Sequence, residues 1–177
     1  EEIDAHDGVI AAGYIDLQIN GAGGRFLTED PTVEAVQEMA RTVVRYGCTS
    51  FLPTVITSSF DTTLAVVRAV HEAREQVTDG ARVLGVHLEG PFINPEASGV
   101  HDTAFIRLPS LEDLDTLWEA SGGSIKLITL APEMPDAGEL IRAARRYGIA
   151  VAVGHTRADY SQMMEAVAAG AGLATHL

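Results

Sequence analysis

The sequence predicts an α/β fold in which about six parallel strands alternate with helices, and three observations lead to this prediction. Short apolar segments rich in β-branched residues alternate along the chain with segments whose apolar residues recur at helical spacing. Most helical segments have a capping residue before them or a glycine after them. Several apolar segments end on a carboxylate or an imidazole, and parallel α/β folds place their chemistry at strand carboxyl ends. Repeated strand–helix units of this kind indicate a parallel sheet covered by helices.

The first predicted strand spans residues 14–20 and alternates between apolar and polar side chains. Its polar residues are Asp16, Gln18 and Asn20. In an open antiparallel sheet this polar face would meet water, whereas in a barrel it would point into the lumen near the active end. The glycine-rich residues 21–24 then break the strand into a loop. Residues 1–13 are polar and contain glycine, and we expect them to be the remnant of a preceding small β domain or a linker.

The rest of the chain continues the alternation of strands and helices. Further strands are predicted at residues 49–56, 82–88, 125–130, 149–153 and 171–176. Helices are predicted at residues 32–46, 61–76, 110–120, 136–147 and 159–169. Asp30 or Thr32 is expected to cap the first helix, which ends at Gly47. Ser110 and Asp113 resemble a capping box, with aspartate in place of the usual glutamate or glutamine.

Composition restricts the classes of function. With 177 residues and 46% hydrophobic content the chain can bury a sizeable core, and residues 14–177 are expected to form one domain. The net charge of −13 argues against nucleic acid and membrane surfaces as partners, although a phosphorylated small molecule needs only a local cluster of donors. Cys48 is the only cysteine, so no disulfide can form within the chain. A reducing cytoplasm is therefore the simplest interpretation of its location. Neither a membrane-spanning segment nor a signal peptide is visible.

Three side chains that end three different strands form a candidate metal site. They are Glu89, His155 and His176. One carboxylate and two imidazoles are three ligands that suit a catalytic metal ion and leave a coordination position open for water. These donors favour Zn²⁺, with Fe, Co or Mn as alternatives.

Each of these residues also has a simpler interpretation. Glu89 could cap the segment that follows it or pair with an arginine, and His155 could be a satisfied core histidine. His176 lies one residue from the end of the sequence, where fraying is expected. His87 shares a strand face with Glu89, and we expect it to support the site or pack in the core rather than to bind a metal.

Six short stretches, taken together, carry a family resemblance. They are Gly13–Gly24, Thr49–Thr54, His87–Ile93, Gly99–His101, Gly154–Thr156 and Thr175–Leu177. In type and order they resemble the N-acetylglucosamine-6-phosphate deacetylases, a family within the amidohydrolase superfamily. The most specific of them is the His-Leu-Glu-Gly-Pro-Phe sequence that begins at His87.

The resemblance implies a (β/α)8 TIM-type barrel with a small β-sandwich built from both chain ends. It implies hydrolysis of the acetamido group of N-acetylglucosamine 6-phosphate to glucosamine 6-phosphate and acetate, and a homodimer of the complete protein. By position, Glu89, His155 and His176 match the metal ligands of the family. His101 matches a substrate-binding histidine that polarises the amide carbonyl, although it could instead be an exposed loop residue.

The chain departs from the family pattern in two respects. Gln18 and Asn20 stand where many amidohydrolases have His-x-His for a second metal, which resembles the one-metal branch; alternatively, they only line the barrel floor. The family's catalytic aspartate would lie beyond Leu177, so the general base is not assigned and residues 14–177 are expected to be an incomplete barrel. The alternatives are an amidohydrolase acting on a cyclic amide or another acetamido sugar, and an inactive truncated fragment with exposed strand edges.

Overall fold

The computed structural model describes residues 8–176, and its main feature is one parallel sheet. The strands are β1 (Tyr14–Ile19), β2 (Gly21–Ala22), β3 (Arg25–Phe26), β4 (Cys48–Ile56), β5 (Arg82–Val83), β6 (Val86–Glu89), β7 (Ile125–Leu130), β8 (Ala150–Val153) and β9 (Leu173–Ala174). The α-helices are α1 (Val33–Val43), α2 (Phe60–Gln76), α3 (Leu111–Ala120), α4 (Ala137–Arg146) and α5 (Tyr160–Ala169). Single 3-10 turns span Val44–Tyr46, Pro95–Ala97 and Thr103–Phe105.

The sheet order is β1-β4-β6-β7-β8-β9, with β5 also paired to β4, and all of these pairings are parallel. A helix lies between each pair of consecutive strands in the order β1-β4-β6-β7-β8-β9, which is the arrangement of consecutive units in a (β/α)8 barrel. This confirms the predicted α/β fold with about six parallel strands of a partial TIM-type barrel. None of the helices within residues 8–176 is long and apolar enough to cross a membrane.

The two faces of the sheet differ in composition. The face toward the helices belongs to the main hydrophobic core, which includes Phe51, Leu88 and Ile128. The opposite, inner face has a small apolar layer made by Leu52, Leu127 and Ala152. Further toward the carboxyl ends of the strands, the inner face becomes polar, with Thr54, His87, Thr129 and finally Glu89, all buried. The fold therefore places its buried polar residues above an apolar layer, at the end of the sheet where chemistry was expected.

Most of the predicted helix boundaries are confirmed. The Thr32 hydroxyl accepts a hydrogen bond from the Ala35 amide at 3.2 Å, and Gly47 ends the first helical segment at a φ of 83°. The Ser110 hydroxyl accepts one from the Asp113 amide at 3.2 Å. The predicted capping box is only half formed, because the Asp113 carboxylate binds the Arg107 guanidinium with two hydrogen bonds instead.

Three local predictions were wrong. Residues 21–24 are not a plain loop, because β2 and β3 form a hairpin whose two turn residues are glycines with positive φ. The predicted strand 82–88 is split into β5 and β6, because Gly85 brings its backbone against the Ser124 carbonyl, where a Cβ would lie only 2.2 Å from that oxygen. The last strand is shorter than predicted, because the Ala171 amide still bonds to helix α5.

The prediction for residues 1–13 is not tested. Residues 1–7 lie outside the described part of the chain, and residues 8–13 have no regular secondary structure.

Candidate metal centre

Glu89 is the buried centre of the site. It ends β6 on the inner face of the sheet, and only 3% of the residue is exposed. Its Oε1 atom lies 2.8 Å from His176 Nε2 and 3.2 Å from His155 Nε2. One potential ligand atom from each of the three residues lies within 4.8 Å of the others. The structure therefore brings together the three residues that the sequence indicated as metal ligands.

Burial acts to raise the pKa of Glu89, but the polar side chains around it outweigh this effect. His155, His176 and Gln18 face the carboxylate, and together they hold its pKa below the ordinary value. The side chain is therefore an ionised carboxylate at neutral pH, which is the form that binds a cation.

His155 is held in a defined orientation. It follows β8 and Gly154, and its backbone adopts a left-handed φ of 52°. Its carbonyl accepts a hydrogen bond from the Asn94 amide at 3.0 Å. Its Nδ1 atom lies 3.1 Å from the Ala97 carbonyl oxygen, which can only accept, so Nδ1 carries the hydrogen. The Nε2 atom is therefore the ring nitrogen that faces Glu89 and is available to bind a metal ion.

His176 is held less firmly. It follows the two-residue strand β9 with a φ of 60°, and 55% of its side chain is exposed. Within the part of the chain that the structure describes, its Nδ1 atom has no hydrogen-bond partner. Its contact with Glu89 is nevertheless the shorter of the two histidine contacts.

His101 is buried beside these residues and was expected to contact substrate. Its Nδ1 atom accepts hydrogen bonds from the Thr57 amide at 3.2 Å and the Thr57 hydroxyl at 2.8 Å, so Nε2 carries the hydrogen. Nε2 lies 4.0 Å from Glu89 Oε2. Burial first, and then the neighbouring His155, lower the pKa of His101 to about 4, so the ring is neutral at pH 7. The residue therefore presents an N–H donor at the site and is not an exposed loop histidine.

Gly90 makes the position of His101 possible. At φ 86° its backbone passes so close to Thr57 that an added Cβ would lie 2.2 Å from the Thr57 hydroxyl oxygen. Any side chain at this position would push away the residue that orients the imidazole of His101.

Gln18 lies on β1 and Asn20 directly follows that strand, and the surroundings of the two side chains differ. Gln18 faces Glu89, whose pKa it helps to lower, and lines a small cavity with His87 and His176. Asn20 Nδ2 is buried and, among the described residues, has no hydrogen-bond partner. The prediction that neither residue holds a second metal remains a prediction.

His87 takes part in a buried hydrogen-bond network below Glu89. Its Nδ1 atom donates to the Leu17 carbonyl at 3.0 Å, so Nε2 accepts from the Thr129 hydroxyl at 2.8 Å. The Thr129 oxygen in turn accepts from the Thr175 hydroxyl at 3.0 Å. Burial lowers the pKa of His87 to about 4. His87 is thus a neutral core histidine that links four strands or strand ends, from Leu17 on β1 to Thr175 beside His176.

Glu133 was missed by the sequence reasoning. It follows β7 and accepts hydrogen bonds from Asn94, Thr156 and Arg157, which lie in two loops around the site. Its partners are 23 to 39 residues away in sequence, so no local pattern indicated a role. The position of Glu133, shortly after the strand that ends at Leu130, was the only available signal.

The chain is similar to known deacetylases over its whole length. Residues 9–177 match the amidohydrolase family. The chain is 37% identical to the N-acetylglucosamine-6-phosphate deacetylase of Bos taurus, with 100% of the chain and 44% of the relative covered. It is 38% identical to the enzyme of that name from Haemophilus influenzae, with 99% of the chain and 45% of the relative covered. The chain thus spans less than half the length of these curated relatives.

Solved structures give the same result. The chain superposes on the N-acetylglucosamine-6-phosphate deacetylase of Pasteurella multocida with a TM-score of 0.85 and 39% identity, covering 94% of the chain and 43% of that structure. The corresponding enzyme of Mycobacterium smegmatis gives a TM-score of 0.86 at 28% identity, with the same coverage of 94% and 43%. Because the family match extends over nearly all of the sequence, we conclude that this chain belongs to the amidohydrolase family.

Proposed function

We propose that this chain supplies the metal-binding part of a hydrolase that converts N-acetylglucosamine 6-phosphate to glucosamine 6-phosphate and acetate. In this proposal Glu89, His155 and His176 hold one divalent ion, for which Zn²⁺ is the first choice. The substrate assignment rests on the names of the relatives, and the metal assignment rests on the geometry of the three side chains.

The contact between Glu89 and His155 carries the metal assignment. Since His155 Nδ1 donates to Ala97, its Nε2 atom is the one that faces Glu89 Oε1, 3.2 Å away. A carboxylate oxygen and an imidazole nitrogen at this separation need a cation between them, either a proton or a metal ion. His176 brings a third donor atom to the same oxygen at 2.8 Å. Ligand atoms about 2.0–2.2 Å from one tetrahedral Zn²⁺ ion lie roughly 3.3–3.6 Å apart, so the contact to His155 fits shared coordination and the shorter contact to His176 would lengthen on binding.

The bound ion and the surrounding side chains would have different roles in amide hydrolysis. When bound, a divalent ion would polarise the amide carbonyl and acidify the attacking water. His101 would donate a hydrogen bond from its Nε2–H group to the carbonyl oxygen as negative charge develops there. The bonds from Thr57 hold the imidazole of His101 in the tautomer that this role requires. No general base is assigned, because the aspartate expected from the resemblance would lie beyond Leu177.

The test is a substrate panel assayed with the complete polypeptide. We expect turnover of N-acetylglucosamine 6-phosphate that a chelator abolishes and added Zn²⁺ restores. N-acetylglucosamine without the phosphate should react poorly, because the phosphate supplies part of the binding energy. Equal turnover of both sugars, or turnover of a cyclic amide alone, would instead favour another amidohydrolase activity. Activity that is indifferent to the chelator would contradict the metal assignment.

A further inference from the structure

The Glu133 carboxylate lies between two loops that reach the candidate metal centre. Its Oε1 atom accepts hydrogen bonds from Asn94 Nδ2 at 2.8 Å and from the Arg157 amide at 2.6 Å. Its Oε2 atom accepts one from the Thr156 hydroxyl. Glu133 therefore contacts both the loop that follows β6 and the turn that follows β8.

These two loops also bond directly to each other around His155. The Asn94 backbone amide donates to the His155 carbonyl at 3.0 Å, and His155 Nδ1 donates to the Ala97 carbonyl at 3.1 Å. The Arg157 guanidinium donates to the Glu96 carbonyl at 3.1 Å. The carbonyl that fixes the tautomer of His155 therefore belongs to a segment that Glu133 holds in place through Asn94.

The hydrogen bonds to Glu133 come from neutral groups. Burial acts to raise the pKa of Glu133, but its bonds from Arg157, Thr156 and Asn94 hold the pKa below the ordinary value. The Arg157 side chain points to Glu96 instead. His155 has a left-handed backbone that a residue other than glycine adopts only when its surroundings impose it. The bonds from Glu133 to the two residues after His155 supply such a constraint.

We propose that Glu133 is a positioning residue that holds the Asn94–Ala97 segment against the turn at His155 and thereby fixes the Nδ1–H tautomer of that histidine. The consequence for metal binding depends on the function proposed above, whereas the effect on the tautomer does not. Groups that orient a metal ligand in this way typically change metal affinity by about 10- to 100-fold.

Three variants and a control test this role. Glu133→Leu removes all three acceptor interactions. Glu133→Gln keeps an oxygen that can accept from Asn94 and Arg157, and its amide can donate to the Thr156 hydroxyl, so it serves as the conservative rescue. Asn94→Asp keeps the side-chain oxygen that accepts a hydrogen bond from the Glu96 backbone amide at 2.8 Å. It also places a carboxylate against the Glu133 carboxylate. The control is Glu165→Gln, which removes one exposed carboxylate from helix α5.

Two measurements on each variant separate positioning from a general loss of stability. Proton–nitrogen correlation spectra of ¹⁵N-histidine-labelled, metal-free protein, recorded at alkaline pH where imidazoles are ordinarily neutral, report the tautomer of His155. Competition with a fluorescent chelator gives the Kd for Zn²⁺. We expect the Nδ1–H form in the wild type, Glu133→Gln and Glu165→Gln. In Glu133→Leu and Asn94→Asp we expect a mixed tautomer and an affinity lowered about 10- to 100-fold.

The outcomes distinguish this inference from the proposed function. If Asn94→Asp stays folded and retains both the Nδ1–H signal and the wild-type Kd, the positioning role is wrong, even if Glu133→Leu fails to fold. If the wild type binds no Zn²⁺ but its tautomer is lost in Asn94→Asp, the proposed metal function is wrong and the positioning role stands.

Discussion

The two candidate histidine ligands, His155 and His176, are supported to different degrees. His155 follows a strand with neighbours on both sides, its second ring nitrogen is hydrogen-bonded, and its side chain is 10% exposed. His176 follows a two-residue strand at the edge of the described sheet, and its side chain is 55% exposed. Both approach the same oxygen of Glu89. The comparison shows that two residues placed at strand ends can reach the same carboxylate and still differ in how rigidly they are held.

The difference has an energetic consequence. A ligand fixed by hydrogen bonds loses little conformational freedom when it binds a cation, whereas a mobile ligand must be ordered first. Glu89, His155 and His101 therefore form the preorganised part of the candidate site, whereas the need to order His176 would reduce its net contribution to metal binding.

Glu89→Ala gives the largest expected effect, because both histidines contact this carboxylate. We expect Zn²⁺ affinity to fall at least ~100-fold, equivalent to the roughly 3 kcal/mol or more lost when one partner of a buried charged pair is removed. Chelator competition measures the change, and Glu165→Gln is the control for loss of one negative charge. Unchanged affinity in Glu89→Ala would remove this residue from the set of ligands.

Separate substitutions of the two histidines test the comparison directly. We expect His155→Ala to weaken Zn²⁺ binding about tenfold more than His176→Ala, because within residues 8–176 only His155 is oriented by a second hydrogen bond. Isothermal titration of the two variants under the same conditions measures the ratio. Equal losses would mean that the bond to Ala97 adds nothing to the preorganisation of the site.

Thr129→Val tests the hydrogen-bond network that lies beside His176, the less firmly held of the two histidines. The valine leaves His87 Nε2 without its donor and Thr175 without its acceptor, next to His176. We expect the free energy of unfolding to fall by about 1–3 kcal/mol, the typical effect of leaving a buried polar group unpaired. Urea denaturation measures this, with Thr116→Val on the exposed face of α3 as the matched control. A loss no greater than that of the control would mean that the network does not stabilise the fold.

Ser110→Ala should have the smallest effect. It removes the side-chain cap of helix α3 and is expected to cost about 1 kcal/mol of stability. Zn²⁺ affinity should stay at the wild-type value, since neither loop at the site changes. A parallel loss of affinity would indicate that the whole fold, and not the loops described here, sets the geometry of the site.

Local and periodic features were predictable from the sequence. The parallel strands, the caps at Thr32 and Ser110, and the stop at Gly47 follow from patterns within a few residues. The convergence of Glu89, His155 and His176 followed from a general rule, because carboxyl ends of parallel strands meet at one edge.

Features that depend on distant backbone were not predictable. The split near Gly85 reflects a close approach to Ser124, and the role of Glu133 depends on two loops far away in sequence. The tautomers of His101 and His155 depend on Thr57 and a backbone carbonyl, which no spacing in the sequence specifies.

The central claim is that Glu89, His155 and His176 together hold a single divalent ion. The most direct measurement is the metal content per chain, by elemental analysis after equilibrium dialysis against Zn²⁺. The structure predicts about one equivalent for the wild type and a strongly reduced content for Glu89→Ala. Two equivalents would show that Gln18, Asn20 or other groups complete a second site. No bound metal would mean that the contacts to Glu89 are bridged by a proton, which would contradict the claim.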